Sequence, residues 1–299
     1  KLAERALAGE RGAVVILDPR NGDVLAMASA PGFDPNGFVD GLSHDQWRGL
    51  TADSAGQPLL NRAIGALYPP GSLFKPVVAA AGLEGGWGNP DARVSCPGYF
   101  ESGTLRVRCW NAAGHGAIAM RKALEQSCNT YFCAMGQQIG YDSMREMALA
   151  LGLGARTGIE LDGELAGLIP ERAWKRRRFG ETWREGDTAN AAIGQGFLGV
   201  TPVQLAALCA ALANGGRLYR PRLVRGWRDP GQAAFAESPN PAPVRELNWS
   251  ASTRETVRGG MRDVVNAPTG TGRQARLDQV VVAAKTGTAE VGRKGEGRK

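Results

Sequence analysis

In the stretch YPPGSLFKP, residues 68–76, a serine stands three positions before a lysine, behind two prolines and a glycine and ahead of an apolar run. On a helix, residues three apart share a face, so Ser72 and Lys75 would bring a hydroxyl and an amine within hydrogen-bonding reach. A serine hydroxyl is a weak nucleophile until a base takes its proton. Lysine is such a base only when neutral, a form that burial and a second cation nearby both favour. A helix N-terminus at Ser72 would add backbone donors where an attacked carbonyl develops negative charge. By itself the pair is common on exposed helices. Two further segments give it a setting. Ser127-Cys128-Asn129 offers a hydroxyl for proton relay and an amide to hold a substrate carbonyl. Lys285-Thr286-Gly287-Thr288 offers a cation for a carboxylate, a glycine with no side chain to block a groove, and a backbone donor at Thr288.

The elements that must position these groups follow from local patterns. Residues 12–29, GAVVILDPRNGDVLAMAS, hold two apolar runs about a turn at Asn21-Gly22 and predict a β-hairpin. Residues 72–86 predict an Ala-rich helix closed by Gly85-Gly86, with Pro76 in its first turn, where a missing N–H costs least. The helical spacing of residues 117–139 is interrupted at Ser127-Cys128-Asn129, so either one helix runs through or two meet at a polar corner. Thr201 and Gln204 form a capping box, Pro202 takes the first helical position and Gly215-Gly216 ends that helix. Ser252 and Glu255 open another helix near residues 252–265. QVVVAAKTGTAE, residues 279–290, predicts a buried strand running into Lys285. Helices flanking an antiparallel β-sheet make the expected class α+β.

S-x-x-K, S-x-N and K-T-G in this order form the motif set of penicillin-binding proteins and serine β-lactamases. Longer segments sharpen the likeness: LLNRAIGALYPPGSLFKP, TGIELDGELAGLIP, GDTANAAIGQGFLGVTPVQLA and VAAKTGTAE, together with the N-terminal hairpin. With them the chain resembles the transpeptidase domain of class B penicillin-binding proteins, and among these the elongation type, penicillin-binding protein 2, from about residue 11 to 291. The resemblance implies a penicillin-binding, serine β-lactamase-like fold. It implies that Ser72 attacks the penultimate D-Ala carbonyl of a peptidoglycan stem peptide with Lys75 as general base. Ser127 would relay protons and Asn129 would orient the substrate amide. Lys285, Thr286 and Thr288, with Gly287 between them, would bind the terminal carboxylate. Backbone N–H groups of Ser72 and Thr288 would form the oxyanion hole. An amine from a neighbouring stem peptide would resolve the acyl-enzyme into a crosslink, and a β-lactam would acylate the same serine and leave slowly.

The same resemblance implies a bacterial inner-membrane anchor with the catalytic domain in the periplasm, a role in cell shape, and no cofactor for catalysis. A membrane glycosyltransferase and elongation-complex proteins would be its partners. In this family the strand bearing K-T-G is followed by further strands and a packing helix, whereas eleven residues follow Thr288 here. Residues 1–10 accordingly read as a linker remnant and residues 11–299 as a transpeptidase domain truncated at its C-terminal end. A β-lactamase and a non-catalytic β-lactam-sensing domain use the same nucleophile motif and stay open as alternatives.

The chain has five cysteines and two histidines, and Cys96, Cys109, His115 and Cys128 fall in one short window. Three thiolates and an imidazole make a complete tetrahedral zinc set, closed to water and therefore structural. Buried free thiols are one alternative. A Cys96–Cys109 disulfide is the other, in keeping with the oxidising periplasm that the resemblance implies. Cys133 and Cys209 sit in apolar helical contexts and read as core, and His44 reads as part of a polar loop. The 299 residues are 43% hydrophobic and 22% charged, enough to bury a large core. The net charge of +7 is scattered except at Lys175–Arg178. No nucleic-acid motif accompanies that run, so it reads as a solvated face and a nucleic-acid partner is not expected.

Overall fold

The computed structural model describes residues 1–53, 56–85, 89–231 and 235–289. A short helix α1 (Leu2–Ala6) leads into the strands β1 (Gly12–Leu17) and β2 (Val24–Ala30). Helices α2 (His44–Ala52) and α3 (Arg62–Gly65) follow, capped by the side chains of Ser43 and Asn61, so His44 opens a helix rather than lying in a loop. A 3-10 turn, Gly71–Phe74, runs directly into α4 (Lys75–Glu84). Two antiparallel ribbons come next: β3 (Val94–Cys96) pairs with β6 (Gly116–Ile118), and β4 (Tyr99–Ser102) pairs with β5 (Leu105–Arg108). Then come α5 (Met120–Glu125), α6 (Asn129–Ile139), α7 (Tyr141–Ala150), α8 (Arg172–Phe179), α9 (Glu185–Ala192) and α10 (Pro202–Asn214). The short strands β7 (Arg217–Leu218), β8 (Gly226–Trp227), β9 (Ala236–Glu237) and β10 (Arg245–Glu246) precede α11 (Ala251–Asn266). Every strand pair is antiparallel.

The chain folds into two compact units. The first comprises residues 1–68, 155–167 and 200–246. Its hairpin forms as the apolar alternation predicts, with Gly12 opposite Ala30 and Asp18 N–H donating to Asp23 O at 2.8 Å across the turn. Ala13, Val15, Val24 and Met27 pack onto a buried cluster of Ala63, Ile64, Ile159 and Val203. The Thr201–Gln204 capping box is present on α10, and Gly215 stops the helix in a left-handed conformation at φ 88°. The amide of Gln204 also donates to Ala155 O and Ala166 O, at 2.6 and 2.8 Å, so one capping side chain ties a loop to the helix start. Cys209 lies on the exposed side of α10 and not in the core. The helix buries Val203, Gln204, Ala207, Leu208, Ala211 and Leu212, and position 209 falls off that stripe.

The second unit comprises residues 69–154, 168–199 and 247–299 and holds all three motifs. At its centre is α4, whose residues Lys75 to Gly82 are buried on every side, in contact with α5, α6, α7 and α11. A helix without a polar face can only be an interior one. Burying a side chain such as Phe74 or Val77 contributes roughly 1.5–3 kcal/mol, so the helix that carries Lys75 is held by its whole surroundings. The helix ends at Gly85, whose φ of −97° is not left-handed; Gly86 lies outside the described residues. The cap of α11 is Ser250, whose hydroxyl accepts from Thr253 N–H, rather than Ser252. In the basic run on α8, Lys175 is not solvated: it is buried and paired with Asp187 at 2.6 Å and Glu181 at 3.2 Å.

The predicted buried strand at 279–290 is not formed among the described residues, which end at Ala289. Val280 and Val281 are 61% and 71% exposed. A strand exists only through a hydrogen-bonded neighbour, and this extended segment has no strand partner among the described residues. It is tied instead to α11, through Ala284 N–H to Met261 O at 3.0 Å and the Asn266 amide to Val282 O at 2.8 Å. Among the described residues no helix is long and apolar enough to cross a membrane.

Candidate active site

Ser72 sits in the 3-10 turn that feeds α4, and Lys75 is the first residue of that helix. Gly71 makes the turn possible. Its φ is +55°, and a Cβ there would lie 2.6 Å from Thr288 O. Gly71 N–H donates to Gly194 O at 2.9 Å, and a Cβ on Gly194 would come within 1.9 Å of Gly71 O. Two glycines distant in sequence thus let three backbones approach, and the Lys285–Thr288 segment reaches the Ser72 turn. The Gln195 amide adds a 3.4 Å bond to Thr288 O.

Ser127 occupies a polar corner between two helices. Its N–H donates to Leu124 O and that of Cys128 to Ala123 O, at 3.2 and 2.9 Å, closing α5 in a Schellman motif. The position normally taken by glycine is held by Ser127 at φ 52°, a conformation that costs a non-glycine residue roughly 1–3 kcal/mol. The corner aims the hydroxyl inward. Lys75 Nζ, fully buried, donates to Ser127 Oγ at 3.1 Å, Ser127 O at 2.7 Å and Asn129 Oδ1 at 2.7 Å. Lys285 Nζ, 9% exposed, donates to the same Ser127 Oγ at 2.9 Å and to Thr286 O at 3.0 Å. The Asn129 amide is oriented from its other end, where Nδ2 donates to Arg108 O at 2.9 Å.

Those three acceptors occupy all three N–H donors of a charged Lys75, and none of its hydrogen bonds runs to Ser72. Burial pushes the Lys75 ammonium down to about 8, against the opposing influence of the Cys128, Cys133 and Cys109 sulfurs. Lys285 is pushed down to about 7, first by burial and then by the charge of Lys75. The sequence-based expectation that a neighbouring cation would depress Lys75 therefore changes in form. Burial acts on Lys75, and the neighbouring charge acts on Lys285. Both shifts raise the share of uncharged amine near neutral pH, the form that a base for a serine nucleophile requires.

Behind this group lies the cysteine cluster. Cys96 pairs with Gly116 across β3 and β6, which sets His115 beside it, and Cys128 caps α6. The donor atoms of Cys96, Cys109, His115 and Cys128 lie within 4.8 Å of one another. His115 Nδ1 is 3.5 Å from both Cys96 Sγ and Cys109 Sγ. A tetrahedral zinc with ordinary bond lengths separates a sulfur and a nitrogen ligand by about 3.5 Å, so donor type and spacing fit the ion. All five cysteines are free, and the Cys96–Cys109 disulfide is absent. The cluster touches the Ser127–Asn129 corner directly, because Asn129 N–H donates to Cys109 Sγ at 3.4 Å.

Sequence patterns assign no role to Gly71, Gly194, Glu125 or Thr271. Gly71 could have been suspected as a glycine beside Ser72, and Gly194 only as part of the family-like segment that contains it. Thr271 carries no local signal, and of Glu125 only the i,i+3 pair with Lys122 is local, since their other partners are far away in sequence.

The chain matches the family model described as penicillin binding protein transpeptidase domain over residues 12–299. It is 40% identical over 294 residues to the peptidoglycan D,D-transpeptidase MrdA of Acinetobacter baumannii, covering 97% of this chain and 43% of that protein. The chain thus spans less than half the length of this relative. Among solved structures it resembles penicillin-binding protein PBP2 of Helicobacter pylori in complex with MreC, with a TM-score of 0.86 and 33% identity over 97% of this chain and 52% of that one. It also resembles Pseudomonas aeruginosa PBP2 in complex with WCK 5153, with a TM-score of 0.82 and 39% identity over 91% of this chain and 58% of that one. Because the match leaves out only the first eleven residues, the chain belongs to the penicillin-binding protein transpeptidase family.

Proposed function

We propose that this chain is the catalytic domain, over residues 11–299, of a peptidoglycan D,D-transpeptidase acting in cell elongation. The observation that carries the reading is the meeting of two buried amines, Lys75 and Lys285, on Ser127 Oγ at 3.1 and 2.9 Å beside the Ser72 turn. In this reading a neutral Lys75 takes the Ser72 proton as Ser72 Oγ bonds to the carbonyl carbon of the penultimate D-Ala. The oxyanion is held by the N–H groups of Ser72 and Thr288. Collapse expels the terminal D-Ala, whose nitrogen takes a proton through Ser127, and leaves an ester on Ser72. Asn129 orients the substrate amide, and Lys285, Thr286 and Thr288 hold the carboxylate. An amine of a second stem peptide then attacks the ester and forms the crosslink. A β-lactam acylates Ser72 in the same way, but its leaving nitrogen stays tethered.

The test is a stoichiometric one. Mixed with a chromogenic β-lactam, the protein should give a single burst equal to the protein concentration and a matching adduct in the intact mass. Sustained turnover would replace this reading with a β-lactamase, and absence of any adduct would leave only a non-catalytic domain.

The relative's name and the MreC-bound neighbour support placing the whole protein in the periplasm on an inner-membrane anchor. The MreC-bound neighbour supports elongation-complex proteins as its partners, and a membrane glycosyltransferase is the further partner proposed. We also assign Cys96, Cys109, His115 and Cys128 to a structural zinc ion, which would add no chemistry to acyl transfer and would brace the Ser127–Asn129 corner. Purified protein should then carry one zinc per chain by elemental analysis. Chelation should lower the thermal midpoint by about 5 °C or more, equivalent to roughly 3 kcal/mol. A preparation that is fully folded without stoichiometric zinc would refute the assignment.

A further inference from the structure

Thr286, the second residue of the K-T-G motif, is gripped from behind by a pair of residues outside every motif. Its Oγ1 lies 2.9 Å from Thr271 Oγ1, and Thr271 Oγ1 donates to the main-chain oxygen of Glu125 at 3.3 Å. Thr271 N–H donates to the same oxygen at 3.4 Å. The Glu125 side chain, in a residue only 3% exposed, holds the loop a second time. Its carboxylate accepts from Thr269 Oγ1 at 2.5 Å and from Lys122 Nζ at 2.7 and 2.9 Å. The loop also passes near the Thr286 methyl, since a Cβ added at Gly272 would stand 3.6 Å from Thr286 Cγ2.

Counting protons gives this chain a direction. A carbonyl oxygen only accepts and a hydroxyl has a single proton, so with Thr271 donating to Glu125 O it must accept from Thr286. In this arrangement the Thr286 hydroxyl donates to Thr271. A carboxylate bound by the segment needs that donor. Thr286 can turn to it because Glu125 O keeps a second donor, the Thr271 N–H. Thr271 then donates to Thr286 and Thr286 to the carboxylate, two hydroxyls in series that polarise one another.

We propose that Thr271 is a positioning residue for Thr286, accepting its hydrogen bond when no carboxylate is bound and donating one to it when a carboxylate binds. This role rests on the reading of Lys285–Thr288 as the carboxylate-binding segment.

The experiment compares acylation of the full chain by a penicillin with a free carboxylate and by its methyl ester, in wild type, Thr271→Val and Thr271→Ser. Thr271→Val should acylate about fivefold more slowly with the acid, the worth of one neutral hydrogen bond. The loss should appear in the apparent binding constant rather than the limiting rate, and the ester should react as with wild type. Thr271→Ser should restore the acid rate. In a Thr286→Val background, Thr271→Val should change the acid-to-ester ratio no further. Equal slowing of acid and ester would mean simple loosening of the loop and would overturn the proposal, as would an unchanged acid rate. A wild type that does not prefer acid over ester would instead remove the carboxylate reading itself, and this role with it.

Discussion

With Ser72 replaced by alanine, penicillin should leave no covalent adduct, and with Lys75 replaced by methionine the adduct should form about 10²- to 10⁴-fold more slowly, the usual worth of a general base. The reason is the state of the amine. Lys75 is pushed down to about 8 and Lys285 to about 7, both below the ordinary 10.5. In the proposed role the active form of Lys75 is the neutral one, so wild-type acylation should rise with pH through about 8, where Lys75 loses its proton. The Lys75→Met profile should be flat there. Stability must move in the same direction. Between the folded values and 10.5 the unfolded chain binds more protons than the folded one, so stability rises with pH through that window. Below about 7 the folded protein carries the full cost of two buried ammonium groups. The pH slope of the denaturation midpoint should therefore be shallower in Lys75→Met. A rate profile in the variant that still rises through pH 8 would assign the base elsewhere.

Replacing Gly194 by alanine should be the most damaging change outside the motifs. The new methyl would sit 1.9 Å from Gly71 O, a backbone atom that cannot rotate away, at a φ of +74°. Either the protein loses about 3–5 kcal/mol, the range in which a severe core clash falls, or the Ser72 turn shifts away from Thr288. A displacement near 1 Å of a reacting group costs about 10²-fold in rate, so acylation should fall by at least that much in surviving protein. Gly103→Ala is the control. It has the same left-handed conformation at φ 58° but nothing within 4 Å of the added carbon, and should cost only about 1–2 kcal/mol with acylation intact. Equal behaviour of the two variants would show that the close backbone approach is unimportant.

Several parts of this structure were legible in the sequence because they depend on near neighbours. The β1–β2 hairpin follows from apolar runs about Asn21-Gly22, and the start and stop of α10 from Thr201, Pro202, Gln204 and Gly215. The break at Ser127–Asn129 was visible as polar residues in a helical pattern, and the structure resolves it into two helices with a corner. Where the sequence reading failed, a partner distant in the chain was decisive. Residues 279–289 have the composition of a strand, but composition cannot supply the neighbour that a ladder requires. Cys209 belongs to an apolar helix, yet the direction of the buried stripe, set by what packs on α10, leaves it outside.

The same division runs through the site. Residue types and order alone pointed to acyl-transfer chemistry, to Ser72 and Lys75 as the proposed nucleophile and base, and to a four-donor set for zinc, because hydroxyl, amine and thiolate chemistry belongs to the side chains themselves. Only the tertiary structure decided that Lys75 and Lys285 meet on one hydroxyl from positions 210 residues apart, that burial makes their amines available, and that Glu125 and Thr271 stand behind Thr286. Desolvation and hydrogen-bond direction depend on what surrounds a group in space, and for Ser72 and its partners those surroundings come from α5, α6, α11 and the Gly71–Gly194 approach rather than from the residues beside them in the chain.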